Sequence, residues 1–112
     1  MGGPILRDSV SVTAKVSSVL ADAESVDLTD FSSAIVIFPS TPAVGTNVNF
    51  YVSADNTNFF LLVDNAGDAV LLTDPNVSEA AAFPDDVFAA HYVKLVCTAS
   101  YAATDCTFML KG

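Results

Sequence analysis

The stretch Asn47–Asp64, NVNFYVSADNTNFFLLVD, decides the fold because it contains two runs of strand-forming residues joined by a polar turn. Its first half alternates apolar Val48, Phe50 and Val52 with more polar residues, which is the period-2 pattern of a half-buried β-strand. The turn Ser53–Asn58 is rich in Asp, Asn and Ser, whose side chains hydrogen-bond nearby backbone and favour chain reversal. The stretch therefore predicts a hairpin at the centre of an all-β domain.

Two apolar runs predict strands deeper in the structure. Phe59–Val63 is nearly continuous in apolar residues, which is typical of a strand that is covered on both faces. Ala34–Phe38 is equally apolar and rich in β-branched residues, and we expect it to form a central strand. Pro39 and Pro42 should end that strand, because proline cannot donate a hydrogen bond to a ladder.

The remaining strand signals complete the predicted fold. Alternating or β-branched segments are found at Ser9–Leu20, Ser25–Leu28, Ala69–Thr73, His91–Thr98 and Thr104–Lys111. Residues 78–90 contain helix-forming alanines, and Pro84 is followed by two acids, so one short helical turn is expected there. The chain is thus predicted to be all-β, with residues 9–112 forming a single small antiparallel β-sandwich of jelly-roll type with about eight strands.

Residues 1–8, MGGPILRD, are predicted to form a flexible N-terminal arm. Two glycines and a proline disfavour regular structure, and terminal segments become ordered when something ties them down. Ile5 and Leu6 give this arm apolar side chains with which to dock. The start of the chain lacks the basic and apolar regions of a secretory signal, so we expect a protein that is made in a cytoplasm and kept or assembled there.

The composition predicts an interface. Of the 112 residues, 52% are hydrophobic and 15% are charged, and the mean hydropathy is +0.50. Typical soluble domains have about 25% charged residues. No apolar run approaches the roughly 18 residues that cross a membrane as a helix. We expect part of the apolar surface to be buried against other subunits or a partner. The alternative is a very apolar core beneath a surface of Ser, Thr, Asn and Ala.

The charge balance argues against two classes of partner. The net charge is −9, from 13 acidic and four basic residues. Binding to nucleic acid depends on Lys and Arg contacts to phosphate, and so few cations cannot form a basic patch. Anionic membrane surfaces are disfavoured for the same reason. Neither nucleic acid nor membrane is therefore predicted as a partner.

Cys97 and Cys106 raise the question of a disulfide. If the last two predicted strands paired as a hairpin, three facing pairs would lie on one apolar face: Cys97 with Cys106, Leu95 with Phe108, and Val93 with Leu110. That register would bring the cysteines within disulfide distance. Buried thiols are the favoured alternative, because a cytoplasm keeps cysteines reduced. Two cysteines and one distant histidine do not supply four zinc ligands.

No constellation of residues predicts an enzyme, a metal or a cofactor. His91 is the single histidine, and no serine or cysteine nucleophile is fixed beside it by the sequence, so a structural role is expected. The acidic turns Asp55–Asn58 and Asp64–Asp68 contain oxygen ligands suitable for Ca²⁺. Neither turn matches the twelve-residue EF-hand loop, and turns rich in Asp and Asn are common between strands.

Aromatic residues allow a sugar-binding alternative. The candidates for a stacking platform are Tyr51, Phe59, Phe60, Tyr92 and Tyr101. Most of them fall within strand patterns and fit the core better than a surface. Tyr101 lies at the tip of a predicted loop, and it is the aromatic residue that we expect to be exposed.

The order of these segments resembles a family of small tailed-bacteriophage virion proteins. In that family a strand ends in a Ser-x-Asp turn and is followed by an aromatic strand, a glycine-containing turn, a Pro-x-x-Phe-Ala segment and a Tyr-x-Lys-Leu strand. The matching segments are FYVSADNTNFFLL at Phe50–Leu62, DNAGDAVLL at Asp64–Leu72, AFPDDVFAA at Ala82–Ala90, HYVKLV at His91–Val96 and DCTFML at Asp105–Leu110. Asn56 stands where the family's turn often has glycine. The same order also resembles discoidin-type and carbohydrate-binding jelly rolls.

The resemblance implies a capsid decoration, or cement, protein that binds the outside of an assembled phage head. It implies a homotrimer on the virion surface, made in the host cytoplasm, whose partners are the major capsid protein and copies of itself. Pro4, Ile5, Leu6 and Arg7 are the candidate capsid or subunit contacts, and no catalytic residue is implied. The alternative function is a carbohydrate-binding module of a tail fibre or spike, although the chain lacks Trp, the strongest sugar-stacking residue.

Overall fold

A computed structural model describes residues 9–42, 45–76 and 79–112, which form two antiparallel sheets packed as a sandwich. The strands are β1 (Ser9–Val16), β2 (Val26–Asp27), β3 (Ser33–Ile37), β4 (Val48–Ser53), β5 (Phe60–Leu61), β6 (Leu71–Leu72), β7 (Ala80–Ala82), β8 (Tyr92–Cys97) and β9 (Thr104–Lys111). Two short 3₁₀ turns, Leu20–Asp22 and Asp85–Ala89, are the helical elements of these residues. The predicted all-β sandwich is confirmed.

The strand order is that of a jelly roll. One sheet has the order β1-β9-β3-β7, and the other has β2-β8-β4-β5, with β6 also paired to β4. If β5 and β6 are counted as one strand, the first strand pairs with the last, the second with the next to last, and so on inward. The innermost pair is β4 with β5, joined by the turn Ser53–Asn58. The stretch Asn47–Asp64 is therefore the tip of one long hairpin that is rolled into two sheets.

An extruded hairpin divides the strand beside β4 into β5 and β6. The Leu62 N–H donates to the Phe50 carbonyl at 2.9 Å, and the Val70 N–H donates to the Leu62 carbonyl at 3.0 Å. Residues 62–70 consequently leave the ladder and return to it at the same point of β4. This excursion explains why nine strands are observed where about eight were expected.

The core lies between the inward faces of the two sheets. Phe108 on β9 and Phe50 on β4 are 1% and 0% exposed. The Phe83 ring lies between them, with its centroid 5.1 Å from that of Phe50 and 6.0 Å from that of Phe108, both in edge-to-face geometry. Burying each such side chain contributes about 1.5–3 kcal/mol. One aromatic cluster thus joins the two sheets.

The predicted hairpin of the last two strands is wrong. β8 lies between β2 and β4 in one sheet, whereas β9 lies between β1 and β3 in the other. Cys97 therefore has Val48 as its strand partner, and Cys106 has Ala14. The inward apolar residues of two strands can contact each other when the strands are neighbours in one sheet, and also when they face each other across the core from opposite sheets. The pattern indicated which residues point inward and gave no information on which strands are neighbours.

The prediction that Tyr101 is exposed is also wrong. Its side chain is 9% exposed, and its Oη donates to the Ser40 carbonyl at 3.0 Å. Its ring packs edge-to-face on Phe38, with 6.1 Å between centroids, and its backbone N–H donates to Ser18 Oγ. The loop between β8 and β9 folds back over the end of the sandwich, so this residue closes the core there.

The region 78–90 contains both a confirmed and a missed element. The 3₁₀ turn Asp85–Ala89 begins directly after Pro84, as the proline and the acids predicted. Ala80–Ala82 forms β7 instead of continuing a helix, because it pairs with Ile35–Ile37 of β3. Tertiary pairing thus overrides the helix propensity of three alanines.

Candidate functional site

An exposed apolar patch lies on β5 and the base of the extruded hairpin. Phe60 is 68% exposed, Leu61 is 40% exposed and Val63 is 46% exposed. The prediction that Phe59–Val63 is covered on both faces is therefore wrong. Scattered apolar residues are normal on a protein surface, but three exposed apolar side chains within four residues of an edge strand are a candidate interaction site. We call Phe60, Leu61 and Val63 the β5 patch.

The position of β5 explains this exposure. It lies at the edge of its sheet, and just two of its residues pair with β4, Leu61 opposite Tyr51 and Phe60 opposite Val52. Leu62 is the member of the run that packs against the core. The hairpin then turns the chain away from the sandwich, so the apolar residues on either side of Leu62 stay in contact with solvent.

Lys94 covers the residue that precedes the patch. Its Nζ lies 4.8 Å from the centroid of the Phe59 ring and donates to the Leu20 carbonyl at 3.4 Å. A cation over an aromatic face is attracted by the ring quadrupole. Phe59 is consequently half-buried, and the fully accessible part of the run begins at Phe60.

Carboxylates border the patch. A depression of about 470 Å³ is lined by Leu62 and Val63 together with the carboxylates of Asp64 and Asp86. Asp64 is held in place because its Oδ1 accepts the backbone N–H groups of Ala66 at 2.8 Å and of Asp68 at 3.0 Å. The surface therefore combines apolar side chains with negative charge, which fits a partner surface whose apolar residues are bordered by basic side chains.

The turn Ser53–Asn58, at the other end of β5, is held together by Asp55. Its Oδ1 accepts the backbone N–H groups of Thr57 and Asn58 and the Ser53 hydroxyl, each at 2.9 Å. These hydrogen bonds hold the pKa of Asp55 well below its usual range, and the two from the backbone N–H groups of Asn58 and Thr57 contribute most. Asn56 has φ 62°, so it adopts the left-handed conformation that glycine would take in the family's turn. The carboxylate oxygens of this turn are engaged by protein donors, which accounts for Asp55 without a Ca²⁺ ion.

Stability should depend on the ionisation of Asp55. Its pKa is lower in the folded state than the unfolded value of about 3.9, so the carboxylate stabilises the fold above that pH. This contribution should be lost as the pH falls below about 4 toward the folded pKa. We expect Asp55→Asn to be less stable than the wild type at pH 7, with the difference shrinking toward pH 2. Urea unfolding of both proteins at pH 7 and at pH 2 measures the difference in their free energies of unfolding. An equal difference at the two pH values would contradict the prediction.

Cys97 and Cys106 are free, buried thiols that face the core from opposite sheets. Burial raises the pKa of Cys97 to about 11. Burial raises the pKa of Cys106 to about 12, and the neighbouring Cys97 adds to the effect. The thiolate is the reactive form of cysteine, so both side chains are chemically inert in the folded protein.

Alkylation should therefore report unfolding. At pH 8 we expect a thiolate fraction of roughly one in a thousand or less at each cysteine, in addition to steric protection. Iodoacetamide labelling followed by mass spectrometry should modify both residues together, at the rate of global unfolding, and rapidly in denaturant. Fast labelling of either cysteine in the folded protein would contradict this picture.

The other residues singled out in the sequence form no shared centre. His91 is exposed, and its Nδ1 lies 3.4 Å from Thr29 Oγ1. Within the described ranges, no three His, Cys, Asp or Glu side chains are grouped as metal ligands would be. No helix in the same ranges is long and apolar enough to cross a membrane. Pro4, Ile5, Leu6 and Arg7 lie outside the described residues.

The fold and the β5 patch together describe a small jelly-roll sandwich with an exposed apolar edge. The chain is similar to a solved structure, the SPBc2 prophage-derived protein YomS, with a TM-score of 0.61 and 18% sequence identity over 97% of each chain. At that identity the likeness shows a shared fold. No protein-family model matches the sequence, and no curated protein does.

Proposed function

We propose that the protein is a virion structural protein of a tailed phage, specifically a capsid decoration protein that binds the outside of the assembled head and stabilises it. The observation that supports this function best is the β5 patch, an apolar surface on an otherwise strongly acidic molecule. The shared fold with a prophage-derived protein is consistent with a phage origin. On this proposal the partners are the major capsid protein and further copies of the chain, which form a homotrimer.

The mechanism is adhesive and requires no chemical step. Burying one exposed Val, Leu or Phe side chain contributes about 1.5–3 kcal/mol. Phe60 and Leu61 are successive residues of the edge strand β5 and point to opposite sides of it, so a partner that packs around this edge would bury both of them together with Val63. A binding site created by neighbouring capsid subunits exists in the assembled shell alone, so each bound copy stabilises the shell by mass action.

The acidic border adds specificity to this adhesion. Asp64 and Asp86 flank the apolar side chains, and the whole chain has a net charge of −9. Like charge opposes association with unrelated acidic surfaces, whereas a complementary basic border on the shell would accelerate docking and fix its orientation. We therefore expect capsid binding to slow at high salt while the apolar contacts persist.

Capsid binding can be measured directly. Purified protein is mixed with phage heads that lack it, the heads are sedimented, and the bound protein is quantified over a range of concentrations. We expect saturation at a fixed ratio of protein to capsid subunit, together with a higher melting temperature of the decorated heads. Unassembled capsid subunits serve as the control, because the proposed site requires neighbouring subunits.

The alternative function gives the opposite result. A carbohydrate-binding module of a tail fibre or spike would fail to bind heads and would be retained on a glycan column. That pair of outcomes would overturn the decoration proposal.

A further inference from the structure

The strand β1 presents a free hydrogen-bonding edge. It lies at the end of its sheet, and among the described residues its ladder partner is β9 alone. The Lys15 N–H donates to Glu24 Oε1, and the Lys15 carbonyl accepts the Glu24 N–H, both at 2.9 Å, so the Lys15 backbone points away from β9. Because this direction alternates along an antiparallel strand, Ser11 and Thr13 point the same way. Within the described ranges, their backbone N–H and C=O groups have no partner.

An apolar cleft lies beside this free backbone. Its volume is about 260 Å³, and it is lined by residues of both β1 and β2, which are edge strands of the two different sheets. The wall includes Val10, Val12, Val26, Asp27, Thr29 and Phe31. Val10 shares a face of β1 with the buried Ala14 and Val16 and is nevertheless 38% exposed, so the cleft is open to solvent. We call the outward backbone of Ser11 and Thr13, together with this cleft, the β1 edge.

We propose that the β1 edge binds a basic, extended segment of a partner protein, which adds to the sheet as a further strand and places apolar side chains in the cleft. The inference goes beyond capsid decoration through the β5 patch, because β2 and β5 lie at opposite edges of their sheet. It does not depend on whether the protein binds phage heads.

An added strand would use both parts of the β1 edge at once. Its backbone would exchange hydrogen bonds with Ser11 and Thr13, and its side chains would point alternately to the two faces of the sheet. One set would enter the cleft and cover Val10 and Val12, while the other would lie on the solvent face of the sheet. Glu24 already pairs with Lys15 in this manner, through its own N–H and its carboxylate.

Charge identifies the chemistry of the segment. The connection 22–30, which borders the cleft, contains four exposed acids and no Lys or Arg. Asp27 lines the cleft, and Glu24 lies at the end of the free backbone. Lys15, the one cation of β1, is already paired with Asp105 at 2.9 Å. Lysine or arginine side chains of an added strand could lay their apolar stems in the cleft and reach these carboxylates, whereas an acidic segment would be repelled.

The same charges disfavour a second copy of the chain as the occupant. The stretch Ser9–Thr13 has neither proline nor charge, so β1 has the composition of a strand that can pair with itself. A two-fold pair would, however, bring the acidic connections 22–30 of both molecules to the same side, and each molecule has a net charge of −9. Like charges that face each other oppose association. A segment of opposite charge therefore fits the β1 edge better than β1 itself does.

Synthetic peptides test the choice of partner. The probe is a fluorescently labelled peptide, Lys-Val-Thr-Val-Thr-Val-Lys, blocked at both ends, and the control peptide has glutamate in place of both lysines. Fluorescence anisotropy with the wild-type protein measures the two affinities. We expect the basic peptide to bind at least ten times more tightly than the acidic one, and high salt to reduce this difference.

Substitutions on β1 test whether the peptide adds as a strand. Ser11→Pro removes one outward N–H and leaves the bonds to β9 in place, whereas Ser11→Ala keeps that N–H. We expect the proline variant to bind the basic peptide about tenfold more weakly and the alanine variant to bind it like the wild type. Melting temperatures check the fold, and Thr13→Pro with Thr13→Ala repeats the comparison if Ser11→Pro is destabilised.

A substitution on β2 tests the role of charge without altering the free backbone. Asp27→Asn keeps an oxygen that can accept the Thr29 N–H, as Asp27 Oδ1 does at 2.8 Å, and removes the negative charge. We expect it to bind the basic peptide several-fold more weakly.

The inference would be overturned by any of three results. Equal affinity for the basic and acidic peptides would show that charge does not select the segment. Equal binding by the proline and alanine variants would mean that the basic peptide adheres to the acidic surface without adding a strand. A protein that is dimeric without peptide, and monomeric once Ser11 is replaced with proline, would mean that a second copy occupies the β1 edge.

Discussion

Replacing Phe108 with alanine is expected to lower the free energy of unfolding by about 3–5 kcal/mol, which is the usual cost of removing a buried phenylalanine. Phe108 is 1% exposed and lies on β9, the strand that joins β1 to β3. Its ring contacts Phe83 edge-to-face, so the substitution leaves a cavity and also removes an aromatic contact between the sheets. Because a small domain has about 5–15 kcal/mol of stability in total, this loss is a large fraction of it and should lower the melting temperature clearly.

Urea denaturation of the wild type and of Phe108→Ala measures the difference. The matched control is Thr107→Ala, which changes the neighbouring, outward-facing residue of the same strand. That substitution should alter stability by no more than about 0.5 kcal/mol. If both variants lost similar stability, the assignment of Phe108 to the core of the sandwich would be wrong.

Replacing Phe60 with alanine should weaken binding to phage heads by about tenfold to a hundredfold, corresponding to the burial of one large apolar side chain. Phe60 is 68% exposed in the free protein, so the fold itself should be almost unaffected. The expected result is therefore a change in affinity without a change in melting temperature. Quantitative sedimentation with heads gives the first quantity, and thermal unfolding of the free protein gives the second.

The control for this prediction is Val19→Ala. Val19 is 50% exposed and lies in the connection that follows β1, outside the β5 patch. Its substitution removes exposed apolar surface elsewhere on the molecule and should leave head binding unchanged. Equal losses for both variants would indicate nonspecific adhesion, and no loss for Phe60→Ala would exclude the β5 patch as the capsid contact.

Local patterns predicted the faces of the strands well. The alternation of Ser9–Leu20 and of Thr104–Lys111 identified two long strands, and the inward residues of the second are indeed buried. The turn Ser53–Asn58 was predicted correctly because its Asp and Ser hydrogen bonds are made within six residues. Such features depend on side chains that are neighbours in the sequence, so the sequence alone contains the necessary information.

Pairing between distant strands could not be predicted in the same way. The prediction that Cys97 points inward was correct, but the prediction that it pairs with Cys106 was wrong. The alternation of apolar and polar residues fixes which side chains of a strand point to the core, and it does not specify the sheet or the neighbouring strand. Ala80–Ala82 has no strand signal of its own and pairs because β3 presents a free edge to it. These outcomes depend on the whole arrangement of the chain.

The sequence pattern did not predict the β5 patch, because a run of apolar residues usually indicates a buried strand. Phe59–Val63 lies between two acidic turns, and that spacing indicated that the run is short without indicating where in the sheet it lies. Phe60 and Leu61 are exposed because β5 is an edge strand, and Val63 is exposed because the extruded hairpin 62–70 leaves the ladder. Exposure at such a site depends on register, which the residues of the run do not specify.

The nested pairing of strands has a consequence for the order of folding. The β4–β5 hairpin closes across a few residues, whereas the outermost pair joins Ser9 to Lys111. The entropy of loop closure grows with loop length, and folds dominated by distant contacts form slowly. Because β9 lies between β1 and β3, the first sheet cannot be completed until that strand has been synthesised. The nascent chain thus exposes the inner faces of β1 and β3 to chaperones and to other chains until β9 has been synthesised.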